Sequence, residues 1–186
     1  MLSLNLHKAA EERIQKLTSK IALVKSAFTS LEVNGPIEFT VNDCQTFLDQ
    51  IAQIDRATGL NQKPVVYVYV LENHAENGET LFNRLKEYKA SPESKVFALS
   101  RSKKEFDKDS IALYVGSVKK DILSRIKQHL GVGPQKTYAM HLKHWVGESP
   151  KLQFYYIPLA DSAQTYEVEA AIASQLKPLL GKSIEI

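Results

Sequence analysis

Three short stretches carry residues suited to chemistry. In the first, Tyr114-Val115-Gly116-Ser117 is followed by Arg125 and His129, which lie four apart. The apolar residues around them, Ile122, Leu123, Ile126 and Leu130, recur at helical spacing, so Arg125 and His129 fall together on one border of the buried stripe. A fixed guanidinium beside an imidazole suits phosphate, although amphipathic helices often carry Arg and His there simply to flank the core. In the second, Glu169 borders a stripe of Val168, Ile172 and Leu176 with Thr165 along the same line, while Glu167 lies away from it. A carboxylate beside a core face needs a partner, which a metal ion, Arg125 or an ordinary salt bridge can supply. In the third, Tyr67 shares a strand face with Tyr69; core packing with a hydroxyl reaching solvent is the plain alternative. One acid, one guanidinium and two phenols can serve phosphodiester hydrolysis around one metal. Together they neutralise charge, position a water and protonate a leaving group.

These groups need elements to hold them. Val65 to Val70 is β-branched and aromatic and predicts a buried strand. Lys95 to Leu99, Ile111 to Val115 and Leu152 to Leu159 predict others, and Ile37 to Phe39 fits a short one. Helical spacing predicts a helix over 42–57, with Phe47, Leu48, Ile51 and Ile54 on one face and Gly59 as its stop. Further helices are expected over Glu79 to Lys89, Lys119 to Leu130, Tyr138 to Trp145 and Ala163 to Leu176. Gly131-Val132-Gly133-Pro134 and Pro178 punctuate two of them, and Arg101 to Asp109 reads as a charged loop. Strands and helices mix without strict alternation, so the expected fold is α/β or α+β, a small central sheet flanked by helices.

Ahead of the sheet, Ala10, Ile14, Leu17, Ile21, Val24, Phe28 and Leu31 are spaced four, three, four, three. That is an a/d seam for a long helix over 7–32, stopped by Asn34-Gly35-Pro36. Such a helix packs on its own domain or on a second copy, giving a homodimer. The expected division is a helical region, 1–60, and a domain, 61–186.

Composition limits the partners without choosing one. A net charge of +3 permits a polyanion but does not demand it. The lone cysteine, Cys44, excludes a disulfide within the chain and fits a reducing compartment. The start, Met1-Leu2-Ser3-Leu4, soon meets Lys8, Glu11, Glu12 and Arg13, unlike a signal peptide. The longest apolar run, Val65 to Leu71, is far short of a membrane span, so a cytoplasmic chain with no membrane partner is expected. His141 and His144 lack further zinc ligands, and Gly131-Val132-Gly133 follows a helix instead of opening one, unlike a phosphate loop.

In order and context, Val65-Val66-Tyr67, Tyr114-Val115-Gly116, Arg125 with His129, and Glu169 with Ile172, Pro178 and Leu180 resemble the GIY-YIG nucleases. That family includes homing endonucleases, the first-incision nuclease of bacterial excision repair and some type II restriction enzymes. The likeness runs over 64–181. Val65 stands where the family has its first glycine, and Gly181 where it usually has asparagine. The two tyrosine motifs, usually close in a hairpin, are parted by an insertion at 72–110.

The resemblance implies a GIY-YIG-like sheet and a metal-dependent DNA endonuclease. Glu169 would hold Mg²⁺ (or Mn²⁺) against the scissile phosphate, and Arg125 would stabilise the added negative charge of the transition state. Tyr67 would help deprotonate the attacking water and Tyr114 would position it. His129 would orient a tyrosine hydroxyl or relay its proton. A tyrosine titrates near ~10, so the metal and Arg125 would have to lower that value. DNA would meet Arg101, Lys103, Lys104, Lys119, Lys120, Lys127, Lys136 and Lys143, each of which also reads as plain solvated charge. Tyr138, His141, His144 and Trp145 add aromatic character nearby, Trp145 reading better as core. Restriction or phage defence is the first expectation and repair the second. The alternative is a catalytically degenerate module of the same fold that binds nucleic acid or protein. Glu93-Ser94-Lys95 echoes the acid-x-lysine of a different nuclease fold, but it precedes an expected strand instead of lying within one.

Overall fold

The computed structural model describes residues 31–72, 78–102 and 111–181, and singly Lys8, Glu11, Glu12, Ile14, Gln15 and Thr18. Its centre is an antiparallel sheet of β1 (Asn34–Phe39), β2 (Val65–Leu71), β3 (Ala112–Val118) and β4 (Leu152–Pro158), in the order β1-β4-β2-β3. Around it lie α1 (Cys44–Thr58), α2 (Gly78–Ala90), α3 (Ile122–Leu130) and α4 (Thr165–Leu176). The fold is α+β. No described helix is long and apolar enough to cross a membrane.

β2 is central because both of its faces are apolar. Val65, Tyr67, Tyr69 and Leu71 join Phe47, Leu48 and Ile51 of α1 and Ile122, Ile126 and Leu130 of α3 in the main core. Val66 and Val68 turn the other way and meet Val115, Ile157, Val168 and Ala173 under α4. Each large apolar side chain removed from water in this way contributes about 1.5–3 kcal/mol, which sets which residues must point inward. The expected helical region, 1–60, supplies β1 and α1 to this same core. Most of the expected helix over 7–32 lies outside the described residues. Of its seam, Ile14 is 62% exposed and Leu31 packs against the α4-side core.

Local signals end the elements. Gly59, at φ 65°, closes α1 by donating its N–H to the Asp55 carbonyl at 2.7 Å. Asp121 caps α3 by accepting from the Ser124 N–H at 3.3 Å, so this helix starts after Lys119 and Lys120. Asn61 Oδ1 accepts from the Leu123 N–H at 3.0 Å and ties the start of α3 to the turn after α1.

Two expected elements differ. Lys95 to Leu99 is not a strand: Pro92–Val96 forms a 3₁₀ turn, and only Leu99 bridges, to Ala139. Pro92 favours the first turn, and the Ser94 hydroxyl donates to the Lys89 and Ser91 carbonyls. Tyr138 to Trp145 is not a continuous helix, because His141 adopts a left-handed backbone at φ 53° and leaves only the short turn Leu142–His144.

Despite the long segment between them, β2 and β3 are antiparallel neighbours. Within that segment α2 sends Leu81 and Leu85 into the main core. β3 is an edge strand, and the segment after α4 covers part of its outer side: Leu179 and Leu180 donate to the Ala112 and Leu113 carbonyls at 3.0 and 2.9 Å.

Candidate active site

The β2–β3 register pairs Tyr67 with Gly116 and Tyr69 with Tyr114. Tyr67 is fully buried, Tyr114 is half-buried, and their rings stack at 6.2 Å between centroids. Gly116 makes this approach possible. A Cβ there would overlap the Tyr114 ring and lie 2.8 Å from Tyr67 Oη. Val115 and Ser117 turn to the opposite face, toward α4, where Ser117 Oγ donates to Glu169 Oε2 at 2.6 Å. The candidate site therefore straddles an edge strand, with phenols on one side and the carboxylate on the other.

α3 supplies the cation. Arg125 Nε donates to Tyr67 Oη at 3.2 Å. One terminal nitrogen donates to Gln128 Oε1 and to the Tyr138 carbonyl, both at 2.9 Å, and the other reaches Tyr114 Oη at 3.5 Å. His129, expected at the border of the helix, is fully buried. Its Nδ1 accepts from the Met140 N–H at 3.3 Å, so the neutral ring carries its proton on Nε2 and donates it to Tyr67 Oη at 2.9 Å. Burial, then the Arg125 charge, holds His129 well below the usual histidine range. With both ring nitrogens engaged, His129 orients Tyr67 and is not free to take its proton.

Two N–H donors thus converge on Tyr67 Oη, and the Tyr67 ring stacks on that of Tyr114. Burial governs the titration of both phenols. It pushes Tyr67 far above the ordinary tyrosine range, helped by Tyr114 and opposed by Arg125. It also raises Tyr114, again against Arg125. For Arg125, burial lowers the pKa, but the two tyrosine oxygens together outweigh it and the net shift is upward. The lowering of the tyrosine values expected from Arg125 is therefore overruled by desolvation, and within the protein itself both residues are neutral phenols at pH 7.

A cavity of about 800 Å³ opens over these groups, lined among others by Tyr114, Ser117, Arg125, Glu169 and Gly181. Tyr67 and His129 are fully buried and do not line the cavity, so the expected direct contact between Tyr67 and a water there has no surface to form on. Gly181 adopts φ 123° and donates its N–H to the Arg101 carbonyl at 2.9 Å, 3.8 Å from its ideal Cβ position to the Tyr114 ring. An asparagine here would strain the backbone, which accounts for a glycine at this position.

The expected nucleic-acid contacts divide. Arg101 and Lys136 are exposed and line the cavity. Lys119, Lys120, Lys127 and Lys143 are exposed elsewhere on the surface. Lys103 and Lys104 lie outside the described residues. Trp145 is buried, its Nε1 donating to the Met140 carbonyl at 2.7 Å, and His141 is buried as well. Tyr138 is 67% exposed and lines the cavity.

The donors facing the cavity suit a hard cation. Magnesium commonly takes one or two carboxylates, waters and substrate phosphate, all of them oxygen ligands. Glu169 and Ser117 offer oxygens of that kind. No group of three or more His, Cys, Asp or Glu gathers among the described residues. The residues thus fit a cation completed by water and substrate and do not form a protein cage.

Sequence reasoning missed Ser117, Gln128 and the Tyr138 carbonyl as partners of the charged groups. Ser117 was within reach, because alternation from Val115 puts it on the Glu169 side. The Tyr138 carbonyl had no signal, since a loop backbone sets its position. Compared with family models, curated proteins and solved structures, the chain matches none.

Proposed function

We propose that the chain is a metal-dependent DNA endonuclease of the GIY-YIG type, hydrolysing phosphodiester bonds in the cavity beside β3. The observation that carries this reading is the convergence of Tyr114, Arg125 and Glu169 on one cavity from both faces of an edge strand. Its support in sequence is the order of Tyr67, Tyr114, Arg125, His129 and Glu169.

In this reading a phosphate enters beside Arg125, whose guanidinium is already fixed by Tyr67, Gln128 and the Tyr138 carbonyl. Preorganised charge of this kind costs no rearrangement as negative charge builds on the phosphoryl oxygens. Glu169, steadied by Ser117, would hold Mg²⁺ or Mn²⁺, which supplies Lewis-acid activation of the phosphate and of a bound water. Tyr114 Oη would position the attacking water, whose proton would pass to bulk solvent once the cation has acidified it, and a solvent proton would neutralise the leaving oxygen. Tyr67 and His129 are positioning residues: they fix Tyr114 and Arg125. Arg101 and Lys136 bring further positive charge to the DNA backbone. The role is restriction or phage defence, with repair as the alternative.

The buried Tyr67, held as a phenol, favours a second reading, a degenerate module of the same fold that binds nucleic acid without cutting it. Incubation of purified protein with plasmid and phage DNA, Mg²⁺ or Mn²⁺ separates the two. The nuclease nicks or cuts, and Glu169→Ala does not; binding without cleavage by the wild type supports the second reading.

A further inference from the structure

Of the aromatic residues near the cavity, Trp145 and His141 are buried, and Tyr114 is half-buried in the Arg125 network. Tyr138 differs from all three. The residue is 67% exposed and lines the cavity. Its backbone carbonyl is pinned to Arg125 at 2.9 Å. The backbone that carries the ring is thus tied to the guanidinium, while the side chain does not serve the core. Arg101 and Lys136 line the same cavity, so an exposed aromatic face stands among cations. Bases stack on such faces and phosphates pair with such cations, the combination by which single-stranded nucleic acid is held. In a duplex the base faces are already stacked on one another and are not offered to a side chain.

We propose that Tyr138 stacks on an unpaired base next to the phosphate held by Arg125, so that DNA with an unpaired nucleotide beside the cut site is bound more tightly than fully paired duplex, which the cations of the cavity still accept. This inference rests on the nucleic-acid part of the proposed function, and its test does not need cleavage. Because Arg125 binds the Tyr138 backbone, Tyr138→Ala keeps that hydrogen bond and removes only an exposed ring.

The test is fluorescence anisotropy of the full chain, in EDTA, with three labelled probes of one sequence: a single strand, a blunt duplex and a duplex with one unpaired nucleotide. The wild type binds the single strand and the interrupted duplex more tightly than the blunt duplex. Tyr138→Ala weakens binding to those two by roughly 5- to 150-fold, the range for loss of one base–aromatic stack, and leaves blunt-duplex binding unchanged. Tyr138→Trp restores the preference. Thermal melting of each variant checks that folding is kept. A wild-type preference for blunt duplex, equal loss on all three probes, or no loss with Tyr138→Ala overturns the proposal. If the binding pattern holds but no metal supports cleavage, the nuclease reading fails alone. If cleavage occurs without the pattern, the stacking role fails alone.

Discussion

Replacing Gly116 by alanine is the smallest change that should dismantle the tyrosine pair. The added Cβ would stand 2.8 Å from Tyr67 Oη, well inside the 3.4 Å at which ordinary contact begins, and would overlap the Tyr114 ring. Tyr67 is enclosed on every side and can give by only a few tenths of an ångström, whereas Tyr114 is half-buried and borders the cavity. The strain should therefore be relieved by Tyr114 swinging outward, away from Arg125, and by Tyr67 Oη being pushed from its donors. Those donors lie at 2.9 and 3.2 Å, so a shift of a few tenths of an ångström takes both to the limit of hydrogen bonding. Overpacking of this kind costs about 1–3 kcal/mol, and weakening a buried bond to a charged donor adds about as much, giving on the order of 3 kcal/mol. In a chain of this size that corresponds to a melting temperature lower by roughly 6–12 °C. Thermal denaturation and the rate of metal-dependent plasmid nicking would be measured together, with Tyr67→Phe and the double variant alongside. Removing the Tyr67 hydroxyl relieves part of the clash, so the double variant should lose less than the two single losses combined. Melting unchanged by Gly116→Ala, with nicking at the wild-type rate, would refute the reasoning.

Two other outcomes follow from the same geometry. His129 titrates lower in the folded chain than the ~6.5 of an unfolded histidine, so the unfolded chain takes up the extra proton first. Stability is then full above about pH 6.5 and falls as pH drops toward the folded value, by about 1.4 kcal/mol per pH unit for this one group. Urea unfolding between pH 7.5 and 5 should show that slope, and His129→Gln should be less stable at pH 7.5 but flatter; an unchanged slope in the variant assigns the effect elsewhere. Ser117→Ala removes the 2.6 Å hydrogen bond to Glu169 and should raise the metal concentration for half-maximal cleavage roughly 10-fold. A metal titration that leaves this midpoint in place would show that Ser117 does not orient the carboxylate.

The parts of the fold that were legible in the sequence are those set by periodicity. Val65 to Val70 read as a buried strand because both of its faces are apolar, and the helix through Arg125 read from its stripe of Ile122, Ile126 and Leu130. Lys95 to Leu99 looked like a strand by composition, but Pro92 and the Ser94 hydroxyl favoured a tight turn, where local hydrogen bonds beat propensity. The helix wheel put His129 on a border, yet the loop carrying Met140 and the Tyr67 and Tyr114 rings close over it. Burial by a distant loop leaves no trace in a helical repeat. For the same reason spacing alone could not tell that Tyr67 would be fully buried and Tyr114 the one at the cavity. It also could not tell that desolvation would outweigh Arg125 in setting their pKa values.

The central claim is that Glu169, Arg125 and Tyr114 act on one phosphate with a divalent cation. It is tested most directly by the single-turnover rate of DNA cleavage in Mg²⁺ or Mn²⁺, wild type against Glu169→Ala, with melting curves establishing that the variant is folded. The account predicts cleavage by the wild type that EDTA stops, and no detectable product from Glu169→Ala. Equal cleavage by the folded variant would contradict it.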